Sequence, residues 1–467
     1  MTDWPLEPDR DEMERMGATA LRFVTDFVED RAVAPASDLG DAWPLADELV
    51  AVPPPVTGRP LHDLLAIVDN AAARAVDTAG PGYLGYIPGG GLYAAALADF
   101  VACAINRFVN FADLAPALVA IEASVVRWLC DLFGLPPSSQ GILTSGGSMA
   151  NLSALVTARA ALLGSDFLDG TLYVSEHTHQ SVAKAAMIAG FPPEAVRRVA
   201  ATADLELDPD ALRAAIERDR NAGRRPFCVI ASAGTTNTGA VDPIGDLAAV
   251  AGEEGLWCHV DAAYGGFFQL TERGRIRFAG IERADSITLD PHKGMFLPYG
   301  TGCLLVRDGE RLRAAHHVGG EYLQDLGVAE RVPNFADYSP ELSRDFRGLR
   351  VWLPLHLHGV DAFRAALDEK LDLAAIVADG LRQVDAVDVL WDPPLSIVAF
   401  RLAGGDDAAN RRLLERVNAW HRILLSSTAI DGRYTLRVCV LSHRTHRERI
   451  DEAVAIIRES ARAEFGK

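Results

Sequence analysis

The strongest constraint on the fold is an alternation. Six short apolar runs, GILTSG, GTLYVS, PFCVIASAG, LWCHVDAA, SITLDP and GCLLVR, are separated by stretches with helical periodicity. Several of these runs are apolar on both faces, as in strands buried within a parallel or mixed sheet. Such alternation predicts an α/β domain to about residue 310. Upstream, residues 92 to about 133 read as one long helical pattern. Earlier still, Met13, Met16, Ala20, Phe23, Val24 and Phe27 form an amphipathic stripe. After Pro53, Pro54 and Pro55, a second periodic stretch runs from 61 to about 76. Neither N-terminal helix has an evident core, so each is expected to pack on something else, such as a second subunit. Residues 311–350 are irregular and charged, and read as a loop able to move. Beyond Val351, a long helix, the strand SIVAFRL, a helix around 413–424, the strand YTLRVCVL and a last helix from about Thr445 predict a smaller α+β unit. No internal repeat interrupts this plan.

Composition narrows the function classes. The hydrophobic fraction of 49% and charged fraction of 23% suit a soluble globular chain and exclude a mainly disordered one. Lys and Arg total 45 against 64 Asp and Glu, for a net charge of -19. That field repels phosphate backbones, so nucleic acid is not an expected partner, although a local pocket for one phosphate remains compatible. The six Cys form no CxxC pair, which argues against a zinc knuckle or thioredoxin-like site. Sparse thiols suit a reducing cytoplasm. The acidic start MTDWPLEPDRDEMER has no apolar core, so no secretory signal is expected. No run of 18 strongly apolar residues predicts a membrane span.

Five constellations could carry chemistry. In the first, a strand runs through Ser145-Gly146-Gly147-Ser148 into a strong helix. Glycines admit close backbone approach, and a helix N-terminus offers free N–H groups, so this is a candidate phosphate cradle. A tight turn with Ser as N-cap explains the same residues equally well. No GK[ST] follows, so it is not a Walker loop. The second is HVDAAYGG, where Asp261 ends a buried-looking strand and small residues leave room for a flat ligand. Asp261 could hold a positive charge such as a protonated ring nitrogen; a lone Asp more often caps a loop. The third is DPHKG, which places Lys293 at the carboxyl end of a strand, where open α/β sheets bind ligands. Most lysines are surface residues, but this setting favours a Schiff-base lysine. The fourth is SEHTH, in which His177 and His179 read as metal ligands or as a ring stacked on a flat cofactor. The fifth, Ser232 to Gly239, is a polar turn that either presents hydroxyls or is simply a loop. His316, His317, His356 and His358 read as structural or surface residues.

Phosphate cradle, histidine, aspartate and lysine occur in one order, and in this the chain resembles the pyridoxal-phosphate (PLP) enzymes of fold type I. More closely it resembles the group II amino-acid decarboxylases, through HVDAAYGG and DPHKG, with GGSMAN and SEHTHQSVAKA in support. The resemblance spans nearly the whole chain. It implies an α/β large domain over 91–350 with a mostly parallel seven-stranded sheet. It also implies an N-terminal helical dimerisation segment over 1–90 and a C-terminal small α+β domain over 351–467. Carried over residue by residue, Lys293 forms the Schiff base with PLP and Asp261 pairs with the ring nitrogen. His179 stacks on one ring face and Ala263 lies against the other. Gly147, Ser148 and His292 contact the phosphate, and Thr235 lies near the ring hydroxyl or the Asp. Asp290 stands where animal aromatic decarboxylases usually carry Asn. The substrate pocket is expected at Tyr86, Ile87, Pro88, Phe108 and Asn110. A proton donor is expected on a loop of the partner subunit matching residues 318–340, with Tyr338 preferred over Tyr322, and with Phe335 able to occupy the key position.

The expected activity is decarboxylation of an L-amino acid, aromatic by overall likeness, to amine and carbon dioxide in a cytoplasmic homodimer. If Phe335 stands at the donor position, oxidative decarboxylation–deamination to an aldehyde is the alternative. An acidic or aliphatic substrate is another, because Ile87 and Asn110 stand where aromatics are common. From a different class, Gly146-Gly147-Ser148-Met149-Ala150 is one residue from a hydrolase G-x-S-x-G elbow, with Ser148, Asp261 and His292 in hydrolase order. That reading leaves Lys293 idle. A binding protein with a vestigial site is a further reading, disfavoured by the presence of both Lys293 and Asp261.

Overall fold

The computed structural model describes residues 6–319 and 331–465. Seven strands build the larger sheet: β1 (Gln140–Thr144), β2 (Gly170–Ser175), β3 (Val196–Val199), β4 (Arg225–Ser232), β5 (Trp257–Ala262), β6 (Ser286–Leu289) and β7 (Gly302–Val306). Six of them are the six apolar runs of the sequence. Their order is β1-β7-β6-β5-β4-β2-β3. All neighbours are parallel except β7, which runs antiparallel to both β1 and β6. β2, β5, β6 and β7 are buried along their whole length, so one apolar core wraps both faces of the sheet. The sequence runs are apolar on both faces for this reason. β3 was not legible because VRRV carries two arginines at the sheet edge.

A second sheet comprises β8 (Val387–Val389), β9 (Ile397–Leu402), β10 (Ser426–Ile430) and β11 (Arg433–Cys439), ordered β10-β11-β9-β8 and antiparallel throughout. Asp431 and Gly432, both left-handed, close the β10–β11 hairpin. Helices Val360–Arg382 and Arg447–Phe465 cover this sheet, with Leu373, Val377, Ile450 and Ile457 in a core of its own. Residues 82–85 join this unit: Leu84 N–H donates to the Leu424 carbonyl and the Leu84 carbonyl accepts from Cys439.

Two expected long helices are each two. The 92–133 pattern divides into Tyr93–Ile105 and Pro116–Leu132. Asn106 turns left-handed at φ 41°, and Pro116 starts the second helix, where its missing N–H costs nothing. The helix expected from Val351 begins at Arg347 and breaks at Gly359, whose φ of +76° no helix accommodates. The anticipated boundary at 350 therefore falls inside Arg347–His358. The N-terminal helices Arg10–Asp30, Ala42–Ala51 and Leu61–Ala73 contain no buried residue. Among the described residues, no helix is long and apolar enough to cross a membrane.

Candidate active site

Four parallel strands and β1 end on the same side of the large sheet, and their carboxyl ends open into a cavity of about 280 Å³. Each strand delivers one predicted element. β1 leads into Gly147 and Ser148, β2 into His179, β4 into Thr235, β5 into Asp261 and Ala263, and β6 into His292 and Lys293. All eight sequence-predicted cofactor residues line this one cavity. The placement follows the general rule for open α/β sheets.

The cavity is prepared for charge. Lys293 Nζ lies 2.8 Å from Asp290 Oδ2, on the single helical turn Pro291–Gly294. The other Asp290 oxygen is buried and has no hydrogen-bond partner among the described residues. Asp261 accepts from Asn151 Nδ2 at 2.9 Å and from the Ala263 N–H at 3.1 Å. Both donors stabilise the ionised carboxylate where it faces the cavity. Burial depresses the pKa of His179, with Asp261 opposing the shift. Burial likewise lowers that of His292, whose Nδ1 lies 2.7 Å from the Thr301 carbonyl. Both imidazoles are thereby biased towards the neutral form.

The cradle also has the right shape. A Cβ at Gly147 would sit 3.0 Å from Asp290 Oδ2 and 3.1 Å from Ala263 Cβ, filling the space between the helix start and the β5 end. The helix Gly147–Leu162 points its N-terminus at the same space. A small aromatic phosphate therefore fits the residues present: helix N-terminus and Ser148 for the phosphate, Ala263 and His179 for the ring faces, Asp261 and Lys293 for its two reactive positions.

Other sequence-predicted residues lie elsewhere. Asn110 is fully buried and donates from Nδ2 to the Leu342 carbonyl at 2.6 Å, while its own carbonyl accepts from Ala336 N–H. It ties the 334–342 segment to the start of the Pro116–Leu132 region rather than lining the cavity. Tyr86 is exposed, 5.7 Å from the Arg437 guanidinium. Ile87 is half-buried against the main core, Pro88 is buried, and Phe108 is exposed beside Phe111. Phe335 is fully buried beneath Arg344. Tyr338 packs near Gln140 and Glu310, at the opposite end of β1 from Lys293 in the same chain. Tyr322 lies outside the described residues. His177 is half-buried and does not line the cavity. Among the described residues, no group of three or more His, Cys, Asp or Glu is placed to hold a metal. The hydrolase relay is not assembled: Asp261 binds Asn151 and Ala263, and His292 Nδ1 faces a carbonyl instead of a carboxylate.

Two further residues that sequence reading missed line the cavity. Asn151 lies four residues after Gly147, on the same face of one helix, and that spacing was the available signal. Ser181 follows His179 by two residues and bonds its ring at 2.8 Å.

A mostly parallel seven-stranded sheet with lysine, aspartate and helix N-terminus gathered at its carboxyl edge defines a PLP-dependent enzyme of fold type I. The chain belongs to the pyridoxal-dependent decarboxylases, since the family model "Pyridoxal-dependent decarboxylase conserved domain" matches residues 55–403. It is thus a carboxy-lyase whose cofactor is pyridoxal 5'-phosphate. It is 35% identical over 451 residues to the aromatic-L-amino-acid decarboxylase of Bacillus atrophaeus, covering 95% of this chain and 94% of that protein. It is 28% identical over 480 residues to the phenylacetaldehyde synthase of Arabidopsis thaliana, covering 98% and 97%. The crystal structure of Oryza sativa TDC with PLP and tryptamine superposes with a TM-score of 0.92 at 29% identity, covering 99% of each chain.

Proposed function

We propose that the protein decarboxylates an aromatic L-amino acid to its amine and carbon dioxide. The observation that carries this reading is the convergence of Lys293, Asp261, His179 and the Gly147 turn on one cavity. The aromatic preference rests on the similarity to the Bacillus atrophaeus enzyme.

Bound PLP supplies an electron sink for the pair left at the α-carbon when the carboxylate departs. The chain supplies position and electrostatics. Lys293, whose amine stands in the cavity, would be the residue that holds the cofactor's aldehyde and gives way to the substrate amine. Asp261, fixed by Asn151 and the Ala263 N–H, keeps a proton on the ring nitrogen. Gly147, Ser148 and His292 would hold the phosphate, and Thr235 would serve the ring hydroxyl. His179 and Ala263 would confine the cofactor ring and exclude water from it. The α-carbon proton comes from the 318–340 segment of a second copy in a homodimer, with Tyr338 as the first-choice donor.

A second reading is favoured by one observation. A phenylacetaldehyde synthase is among the relatives, whereas Phe335, the residue expected to replace the donor hydroxyl, is fully buried in its own chain. Under this reading the product is an aldehyde, with ammonia and peroxide formed at the expense of oxygen.

The test is mass spectrometry of products after purified protein, PLP and a panel of L-amino acids are incubated in air. An amine from Trp, Phe, Tyr or DOPA is the expected result. Aldehyde with peroxide would select the second reading. Reaction of Glu, Asp or aliphatic amino acids alone would overturn the aromatic assignment. Lys293→Ala should abolish turnover, and full activity in that variant would overturn the site.

A further inference from the structure

A hydrogen-bond chain, buried as far as Ser181, runs from β5 and β6 into the cavity lining and ends on His179. Trp257 Nε1 donates to Ser286 Oγ at 2.8 Å. Ser286 Oγ lies 2.8 Å from His259 Nδ1, and His259 Nε2 lies 3.0 Å from Asn151 Oδ1. Asn151 Nδ2 reaches Asp261 Oδ2 at 2.9 Å and Ser181 Oγ at 3.0 Å. Ser181 Oγ lies 2.8 Å from His179 Nδ1.

The two ends, together with a neutral His259, fix the direction of every bond; Thr288 Oγ1, 3.4 Å from His259 Nε2, is then a second acceptor for its proton. The Trp257 indole can only donate, and an ionised Asp261 can only accept. The Asn151 amide must therefore turn its NH₂ to Asp261; the flipped amide would set oxygen against carboxylate. Its Oδ1 then faces His259 Nε2, which must carry the proton. His259 Nδ1 is left as an acceptor for the Ser286 hydroxyl, whose oxygen receives the indole N–H. On the other side, Asn151 has one hydrogen for Asp261 and one for Ser181. The Ser181 oxygen accepts that hydrogen and sends its own to His179 Nδ1. The Ser181 backbone N–H independently points at the same Nδ1, at 3.3 Å. Two donors on one ring nitrogen leave it no proton of its own.

We propose that Asn151 is a positioning residue that binds the Asp261 carboxylate and, through Ser181, locks His179 as the Nε2–H tautomer. His179 then presents an N–H donor, and no basic nitrogen, to the space beside Lys293. Burial favours the neutral state of the two imidazoles that this arrangement requires: it holds the pKa of His259 at about 4 and lowers that of His179. The tautomer assignment stands on the protein alone, whereas its effect on cofactor binding rests on the function proposed above.

The test is 15N NMR of histidine-labelled protein without PLP, with the His179 signals identified by their loss in His179→Gln. The expected spectrum shows a pyridine-like Nδ1 and a pyrrole-like Nε2 for His179. The reverse pattern, or a doubly protonated ring, would overturn the proposal. Asn151→Leu should perturb the His179 signals and weaken pyridoxal 5'-phosphate binding about tenfold, as expected for loss of a hydrogen bond to a charged group. Unchanged signals with unchanged affinity would overturn it. Should that variant not fold, Ser181→Ala serves: it should admit the second tautomer while Ser181→Thr restores the first, and identical spectra for all three proteins would be fatal. A failed Lys293→Ala test with the expected spectrum would remove the function and leave the tautomer standing.

Discussion

Asp290 Oδ2 meets Lys293 Nζ at 2.8 Å, so the amine proposed to bond PLP is held in an ion pair inside the cradle proposed for its phosphate. Asp290 is 2% exposed, and its second oxygen has no partner among the described residues. Any side chain at Gly147 would meet the same carboxylate. A phosphate arriving at the Gly147–Ser148 turn therefore meets a nearby negative charge. Asp290→Asn removes that repulsion and frees the amine from its ion pair. The variant should bind PLP more tightly, by roughly threefold to tenfold for about 1 kcal/mol. Titration of the cofactor's visible absorbance checks this; weaker binding would show that Asp290 supports the cradle.

A second prediction concerns Glu122 and Arg344, whose side chains are both fully buried and 2.6 Å apart. Burial raises the Glu122 pKa, and Arg344 opposes the shift. Glu122 also accepts from the Gly348 N–H, and Arg344 covers the ring of Phe335. The pair thus pins the segment after residue 334 to the helix Pro116–Leu132. Glu122→Ala strands a buried guanidinium and should cost about 3–5 kcal/mol. The double change Glu122→Leu with Arg344→Met leaves no orphaned charge and should cost less than the single one. Urea denaturation of the three proteins decides the order.

What the sequence disclosed and what it hid divide along physical lines. Strands buried on both faces announce themselves, and DPHKG and HVDAAYGG fix the carboxyl edge because each ends such a strand. Edge elements do not: β3 is half arginine, and β10 reads SSTAI beside an Asp-Gly turn that was the only cue. The long 92–133 pattern was misleading because both of its helices face the same core, so their periodicity continues across the break at Asn106. Asn110 looked like a pocket residue from likeness alone. Its partners, Leu342 and Ala336, lie more than 220 residues away, and no local pattern reveals such a contact. Asn151 was hidden for the opposite reason: a polar residue inside a helix near a candidate site reads as ordinary until the tertiary fold brings Asp261 beside it.

Asp242 should make stability depend on pH. It is fully buried, and burial raises its pKa to about 7 despite N–H donors from Leu207 and Ser232, each at 2.7 Å. The folded state therefore holds a proton that the unfolded chain releases near pH 4. Stability from this group is complete below about pH 4 and is lost as pH rises through about 7, with a span of roughly 4 kcal/mol. Asp242→Asn does not titrate, so wild type should lose stability relative to the variant between pH 5 and pH 8. Urea denaturation at the two pH values measures the difference. A constant difference would mean that Asp242 titrates alike in both states.

The last prediction joins the surface to the chemistry. Phe100 is 69% exposed on the helix Tyr93–Ile105, with Leu97 and Val101 exposed beside it. Met13, Met16 and Leu21 are exposed on the N-terminal helix Arg10–Asp30, which contains no buried residue. Exposed apolar surface of this kind marks an interface, and a second copy of this chain is the occupant proposed above. Phe100→Glu should then raise the dimer dissociation constant at least about tenfold, the effect of roughly 1.4 kcal/mol, in sedimentation velocity. The eight residues proposed to hold the cofactor line one cavity within a single chain, whereas the proposed proton donor comes from the partner. A dissociated variant should therefore retain PLP binding yet lose turnover, and mixing it with an excess of Lys293→Ala chains should restore turnover wherever mixed dimers form. A monomer that turns over at the wild-type rate would place the proton donor within the same chain as Lys293.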